Sequence, residues 1–154
     1  MALQTTGPIS FANINTELGV ASTTTRSLND TTSRTLAGVA TGTISMSNFY
    51  GKSAVSWSPD GGTSGPGVTL SDWAAGGNDA SVTITCNQSA TWTYFESGQP
   101  DAYASIASGN SATSITFTLP NFGFSIYNSY FSVSSTAGGV TRYWTVNLTN
   151  DGFA

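Results

Sequence analysis

Histidine is absent from this chain, cysteine occurs once, and four basic and eight acidic residues are all the charge in 154 positions. Proton transfer, metal ligation and nucleophilic attack are mostly done by His, Cys, Asp, Glu and Lys. A chain this poor in them is built for packing and display, so neither catalysis nor a cofactor is expected. With no His and one Cys, a zinc site is not expected. Cys86 has no partner for an intrachain disulfide, which points to folding in a reducing cytoplasm. No apolar run approaches the length of a membrane span. Met1 to Ser10 shows no basic region followed by an apolar stretch, so no signal peptide is read there.

The charge that exists is unevenly placed. Residues 1–53 hold Arg26, Arg34 and Lys52 against Glu17 and Asp30, whereas residues 54–154 hold Arg142 against Asp60, Asp72, Asp79, Glu96, Asp101 and Asp151. Neither half has the basic stripe that a phosphate backbone requires, so nucleic acid is not an expected partner. The acidic second half would be repelled by anionic membranes.

What fills the chain instead is Ser and Thr, about three positions in ten, with 12% aromatic residues and 17 glycines. Hydroxyls replace charge at the surface, while the β-branched and aromatic residues suit half-buried strands joined by glycine turns. The aromatic content is too high for a disordered polar tract.

Residues 1–53 read as short helices between loops. Ser10 is placed to cap a helix whose Phe11, Ile14 and Leu18 share one face, with Gly19 as its left-handed stop. Asn29 or Asp30 can cap a second helix that uses Leu36 as its apolar contact and ends at Gly38. Ser45 opens a third turn through Phe49 and Tyr50, closed by Gly51. The apolar positions of this half make a thin core, near the size at which a domain needs a partner. Two readings follow: a small independent helical module, or a docking segment ordered only against another subunit. Phe11, Ile14, Leu18, Arg34, Leu36, Phe49 and Tyr50 are the docking candidates.

From Ser53 the texture changes to period-2 alternation. Val82, Ile84 and Cys86 oppose Thr83 and Thr85, and Trp92 and Tyr94 oppose Thr91, Thr93 and Phe95. Ile115, Phe117 and Leu119, then Phe131 and Val133, then Trp144, Val146 and Leu148 repeat the pattern, with Ala137-Gly138-Gly139 as the last turn. With Val68–Trp73 and Ala102–Ile106 this makes seven or eight strands. The expected fold is mainly β, an immunoglobulin-like antiparallel β-sandwich over residues 54–154, preceded by the short-helix segment 1–53. It lacks a disulfide pin and must hold by aromatic packing. Trp57, Trp73, Trp92 and Cys86 are expected to be buried.

The run Pro8-Ile-Ser-Phe-Ala-Asn-Ile-Asn-Thr-Glu-Leu-Gly19 resembles the Pro-Ile-Ser-Phe…Ile-Asn-x-Glu-Leu-Gly opening of many tailed-phage structural proteins. Ser27-Leu-Asn-Asp30, Arg34-Thr-Leu-Ala-Gly-Val39 and Ile44-Ser-Met-Ser-Asn-Phe-Tyr-Gly-Lys-Ser53 continue the likeness in order. In that family the segment precedes variable C-terminal regions of virion and tail proteins, which implies attachment to a particle. Cys86-Asn-Gln-Ser-Ala-Thr-Trp-Thr93 and Arg142-Tyr-Trp-Thr-Val146 are similar to the immunoglobulin-like and BACON-type sandwiches of phage and bacterial surface proteins. The BACON pattern carries an Arg after an Asn on the approach to its penultimate strand. Here Asn121 leads into an aromatic stretch, Phe122 to Tyr130, with no Arg.

The resemblance implies a non-enzymatic structural protein located in the virion, at the tail, baseplate, collar or fibre. Its partners would be other virion proteins and further copies of itself in a homo-oligomer. A capsid decoration protein is the alternative within that class. A module binding cell-surface glycans is the alternative outside it, with Phe122, Phe124, Tyr127 and Tyr130 as surface-binding candidates. The six carboxylates of the second half lie mostly beside Gly, Asn or Ser, as turn residues do. A calcium site at Asp60 or Asp79 has no D-x-[DN]-x-[DN]-G loop to support it.

Overall fold

The computed structural model describes residues 2–75, 78–98, 101–121 and 126–151. Contacts divide the chain into two compact units, residues 1–55 and 56–154.

In the first unit, helix α1 (Phe11–Glu17) begins at Ser10, whose hydroxyl accepts from the Asn13 N–H while the Asn13 side chain accepts from the Ser10 N–H. This reciprocal cap occupies donors that a helix start leaves unpaired. Gly19, at φ 71°, turns the chain away after Leu18. Helix α2 (Thr31–Ala37) is capped by Asp30, whose carboxylate accepts from the Ser33 N–H at 2.6 Å, and ends at left-handed Gly38. A 3₁₀ turn, Met46–Phe49, follows Ser45. Ile14, Leu36, Ala37 and Phe49 meet in a buried core completed by Leu3, with Leu18, Leu28, Ile44 and Met46 packed around it. Leu3 reaches that core because its N–H donates to the Lys52 carbonyl at 2.7 Å, tying the start of the unit to its end. Glu17 makes a second tie, its Oε1 accepting from the Ala54 N–H at 2.9 Å and the Ser53 hydroxyl at 3.2 Å.

The second unit is mainly β. Its strands are β1 (Trp57–Ser58), β2 (Val68–Ala74), β3 (Ala80–Gly98), β4 (Tyr103–Ala104), β5 (Ser111–Leu119), β6 (Tyr127–Ala137) and β7 (Val140–Asn150). They form one hydrogen-bonded network in the order β2-β7-β6-β3-β5-β4, with β1 also on β3. Gly138 and Gly139, both at positive φ, make the two-residue turn between β6 and β7, which pair in unbroken register from Ala137↔Val140 to Tyr127↔Asn150.

Two features differ from the sequence expectation. The runs around Ile84 and Trp92, read as separate strands, belong to the single strand β3. No Gly or Pro interrupts it before Gly98; its pairing with β5 shifts register between Thr85 and Ala90 and ends at Thr91, where pairing with β6 begins. Its first half pairs with β1 and β5, its second with β6. The pairing is also not wholly antiparallel, since β2 runs parallel to β7, Val68↔Trp144 through Ala74↔Asn150. Parallel partners need a long connection, and here the whole of β3 to β6 lies between them.

The inner side chains form a chain of rings. Trp57 and Trp92 lie 6.3 and 6.0 Å from Trp144, and Phe117 lies 4.7 Å from Phe131 and 5.5 Å from Tyr94. Phe117 is on β5 and Phe131 on β6, strands that do not pair. Their rings meet although the strands are not neighbours in the pairing order. Each buried indole N–H is satisfied: Trp57 by Ser135 Oγ at 2.9 Å, Trp92 by the Ala112 carbonyl at 2.9 Å, Trp144 by the Pro59 carbonyl at 3.2 Å. Cys86 is buried beside Ile84.

Candidate functional site

The docking candidates separate by burial. Ile14 and Phe49 are fully buried and Leu36 is 7% exposed, so these three are core side chains of their own unit and not free contact residues. The reason is the phase of each turn: the three side chains point into one small core with Leu3 and Ala37. Leu18 is half-buried against the same core. Phe11 and Tyr50 are the exposed rings of the set, and the Tyr50 hydroxyl donates to the Gly7 carbonyl.

Arg34 is half-buried, and its guanidinium is bonded within its own unit. Its Nε donates to Asn29 Oδ1 at 2.9 Å, Nη1 to the Val39 carbonyl at 3.1 Å and Nη2 to the Gly42 carbonyl at 2.9 Å. The guanidinium fork fastens the loop after α2. Arg26 does similar work before α2, donating to Asn15 Oδ1 at 2.7 Å and to the Asp30 carboxylate at 3.2 Å. Burial opposes the charge on Asp30, but the Ser33 N–H, the Arg26 charge and the Ser27 backbone outweigh it and hold the carboxyl below its ordinary value.

The carboxylates of the second unit serve loops. Asp60 accepts from the Gly61 N–H and pairs with Arg142 at 3.3 Å, Asp72 accepts from the Ser81 N–H at 2.8 Å, and Asp79 accepts from the Asn121 N–H at 3.0 Å. Among the described residues no three His, Cys, Asp or Glu side chains gather as metal ligands would, and no helix is long and apolar enough to cross a membrane. Glu96 differs: burial pushes its carboxyl up, and its Oε1 is shielded without a hydrogen-bond partner among the described residues.

The aromatic stretch after Asn121 is divided. Phe122 and Phe124 lie outside the described residues. Tyr127 and Tyr130 are not loop residues; they belong to β6, where their odd separation puts them on opposite faces. Tyr127 is half-buried, and Tyr130 points outward and is 46% exposed.

Tyr130 has company that the sequence reading missed. On the outer face of the β2-β7-β6-β3 wing, one row across the strands is Thr93, Ser134 and Tyr143. The next is Phe95, Ser132, Thr145 and Thr69, and the next Ser97, Tyr130, Asn147 and Ser71. Thr149 and Trp73 continue it. None of these side chains is charged. Phe95 is 73% exposed and Trp73 65% exposed, so the expected burial of Trp73 is corrected. Trp73 precedes inward-facing Ala74, and strand alternation turns its ring outward. Phe95 was legible, because it falls in phase with Thr91 and Thr93 and out of phase with Trp92 and Tyr94.

A depression of about 260 Å³ crosses this face, lined by Pro66, Thr93, Phe95, Ser132, Ser134 and Tyr143 among others. The segment before β2 forms one wall. It is held there by the Thr145 hydroxyl, which donates to the Pro66 carbonyl at 3.1 Å, and by paired backbone bonds between Gly62 and Tyr143. At Gly67, φ is +83° and a Cβ would lie 2.0 Å from the Tyr143 carbonyl oxygen, so only glycine allows the approach.

No family profile matches the chain, and no curated protein does. Solved structures with partial likeness include a sialyltransferase from Photobacterium damsela, at 17% identity and TM-score 0.35, covering 54% of this chain and 17% of that one. Another is the VesB protease of Vibrio cholerae, at 14% identity and TM-score 0.35, covering 63% of this chain and 31% of that one. Likenesses this slight carry no argument about fold or activity.

Proposed function

We propose that this chain is a non-enzymatic structural protein of a tailed-phage virion, a tail, baseplate, collar or fibre-like component. The short-helix unit attaches it to the particle, and the β unit is displayed. The observation that carries this reading is the ordered set of segments over residues 8–53 that resembles the openings of phage structural proteins. The way the ionisable side chains are spent supports it. Arg26, Arg34, Glu17 and Asp30 hold the first unit together, and Asp60, Asp72 and Asp79 hold loops of the second. Side chains so engaged leave little for acid–base chemistry.

The strand pairing supports an immunoglobulin-like sandwich for the displayed unit. β1, the first half of β3, β5 and β4 would form one layer, and β2, β7, β6 and the second half of β3 the other. The ring contact between Phe117 and Phe131 lies between those layers.

The test is incorporation. Particles assembled with protein lacking residues 1–53 should lose the displayed unit, whereas undiminished incorporation would refute the attachment role. Imaging of particles should place its density on the tail; density on the capsid lattice would make it a decoration protein.

A further inference from the structure

Strand β2 lies at one end of the pairing order and has a strand beside it on one side only, β7. It keeps unbroken parallel register with β7, and just past that ladder the Ala74 carbonyl accepts from the Asp151 N–H. In a parallel pair the backbone groups of successive residues point to alternate sides of the strand. Those of Leu70, Asp72 and Ala74 therefore face β7, and those of Thr69, Ser71 and Trp73 face away from it. All three of the latter residues are exposed, and their outward N–H and C=O groups meet no hydrogen-bond partner among the described residues. Elsewhere the chain covers such groups. On the free side of β3, Trp92 exchanges backbone bonds with Asn110 and Gly109, and the Tyr94 N–H donates to the Ser108 hydroxyl. The strand at the opposite end, β4, is only two residues long. Short edges, Lys, Pro and bulges all discourage edge pairing, and β2 has none of them over seven residues. Its one charge, Asp72, faces inward and is occupied by the Ser81 N–H at 2.8 Å.

We infer that two copies of this chain join along β2, antiparallel about a two-fold axis at Ser71. In an antiparallel pair, alternate residues stand directly opposite and exchange two N–H···O bonds. Centring on Ser71 sets Ser71 against Ser71 of the second copy, and Thr69 of each copy against Trp73 of the other. These are the residues whose backbone groups are free, so every free group of both copies is used at once. Sliding one copy by two residues moves one of those pairs beyond the ends of β2. The same register lays the exposed Trp73 ring beside Thr69 of the second copy, an aromatic–β-branched pair. Charge also favours this edge for a like partner. The second unit sets Arg142 against six carboxylates, so two copies repel over most approaches, whereas Thr69, Ser71 and Trp73 carry no charge. Pairing along about 23 Å of strand buries less than about 1,200 Å², the range of weak, reversible interfaces. This inference stands apart from the virion reading, because the isolated protein decides it.

The test is sedimentation of the full chain from about 10 μM to about 1 mM, with amide exchange measured at both extremes. A reversible dimer should form. The amides of Thr69, Ser71 and Trp73 should slow as concentration rises, while those of Leu70 and Asp72, already turned to β7, stay unchanged. Ser71→Lys sets two like charges opposite each other and should weaken the dimer at least about fivefold, as should Ser71→Glu. Mixing the two variants should restore association as a heterodimer. Ser71 is exposed, and unchanged thermal midpoints in dilute protein will show that both variants fold. A monomer at every concentration overturns the inference and leaves the edge to a strand of another protein. A dimer that both variants leave intact, or whose amide protection lies outside β2, overturns it too. Dissociation by both variants without recovery in the mixture overturns the two-fold register at Ser71.

Discussion

Arg26 donates its Nε–H to Oδ1 of Asn15 at 2.7 Å, and Asn15 is wholly buried. The amide nitrogen of Asn15 in turn donates to the carbonyls of Ser22 at 3.2 Å and Thr24 at 2.8 Å. One side chain thus joins α1, the polar loop after it and the cap of α2, because Arg26 also holds Asp30. A core this small obtains its order partly from such a connected set of polar contacts.

Asn15→Ala should therefore cost more than a lost helix residue. It leaves two carbonyls and a guanidinium donor with no protein partner, and about 2–3 kcal/mol is expected from groups so stranded. Urea unfolding of the first unit checks this, and amide exchange should accelerate first across residues 20–30. A loss under about 0.5 kcal/mol, the range of ordinary surface changes, would mean water replaces the side chain.

The two displaced carboxyls predict opposite responses to acid. Asp30 is held below its ordinary value, so its contribution is present above the unfolded value near 3.8 and disappears as pH falls through the folded one. Asp30→Asn should destabilise the first unit at pH 7 and make little difference at pH 2. Equal effects at both would show the cap to be independent of charge.

Glu96 is raised by burial, so its charge burdens the folded state fully above the raised value and is relieved below the unfolded value near 4.5. Glu96→Gln should raise the urea midpoint of the second unit at pH 7 and leave it unchanged at pH 3. A lower midpoint at pH 7 would reveal a partner for the carboxylate.

Trp92 has no exposed surface, packs 6.0 Å from Trp144 and spends its indole N–H on Ala112. Trp92→Ala should cost about 3–5 kcal/mol, as large core truncations do. Trp73→Ser, at an exposed ring on the outer face, should fall within about 0.5 kcal/mol of the native protein. Measured together by urea melts, the two substitutions separate inner from outer tryptophan, and similar costs would contradict the strand phase.

Gly67→Ala places a methyl group where the Tyr143 carbonyl stands and at a φ of +83°. Loss of the wall beside the depression is expected, with a destabilisation above about 1 kcal/mol. Thermal melts read the cost, and a native-like Tm would show that the segment before β2 is free to shift.

Much of the local structure was legible in the residues. Ser10, Asp30 and Ser45 stand where the short helices begin, and Gly38 where α2 stops, because caps are local chemistry that neighbouring residues decide. Strand phase was legible for the same reason: Ile115, Phe117 and Leu119 turn inward together. The docking set was only partly legible, since helical spacing groups Phe11 with Ile14 but cannot say that Ile14 is fully buried and Phe11 is not. Trp73 shows the same limit, as hydrophobicity alone favours burial.

By itself the sequence determined the scarcity of chemistry, the mainly β character of the second half, the capped turns of the first and the alternation within each strand. Those follow from side-chain type and from spacing along one segment. Tertiary structure decided that β3 serves two partners, that β2 runs parallel to β7, and that Phe95, Tyr130 and Trp73 share one uncharged face. Each depends on which distant strands pair and in what register, and pairing energy comes from contacts between residues far apart in the chain.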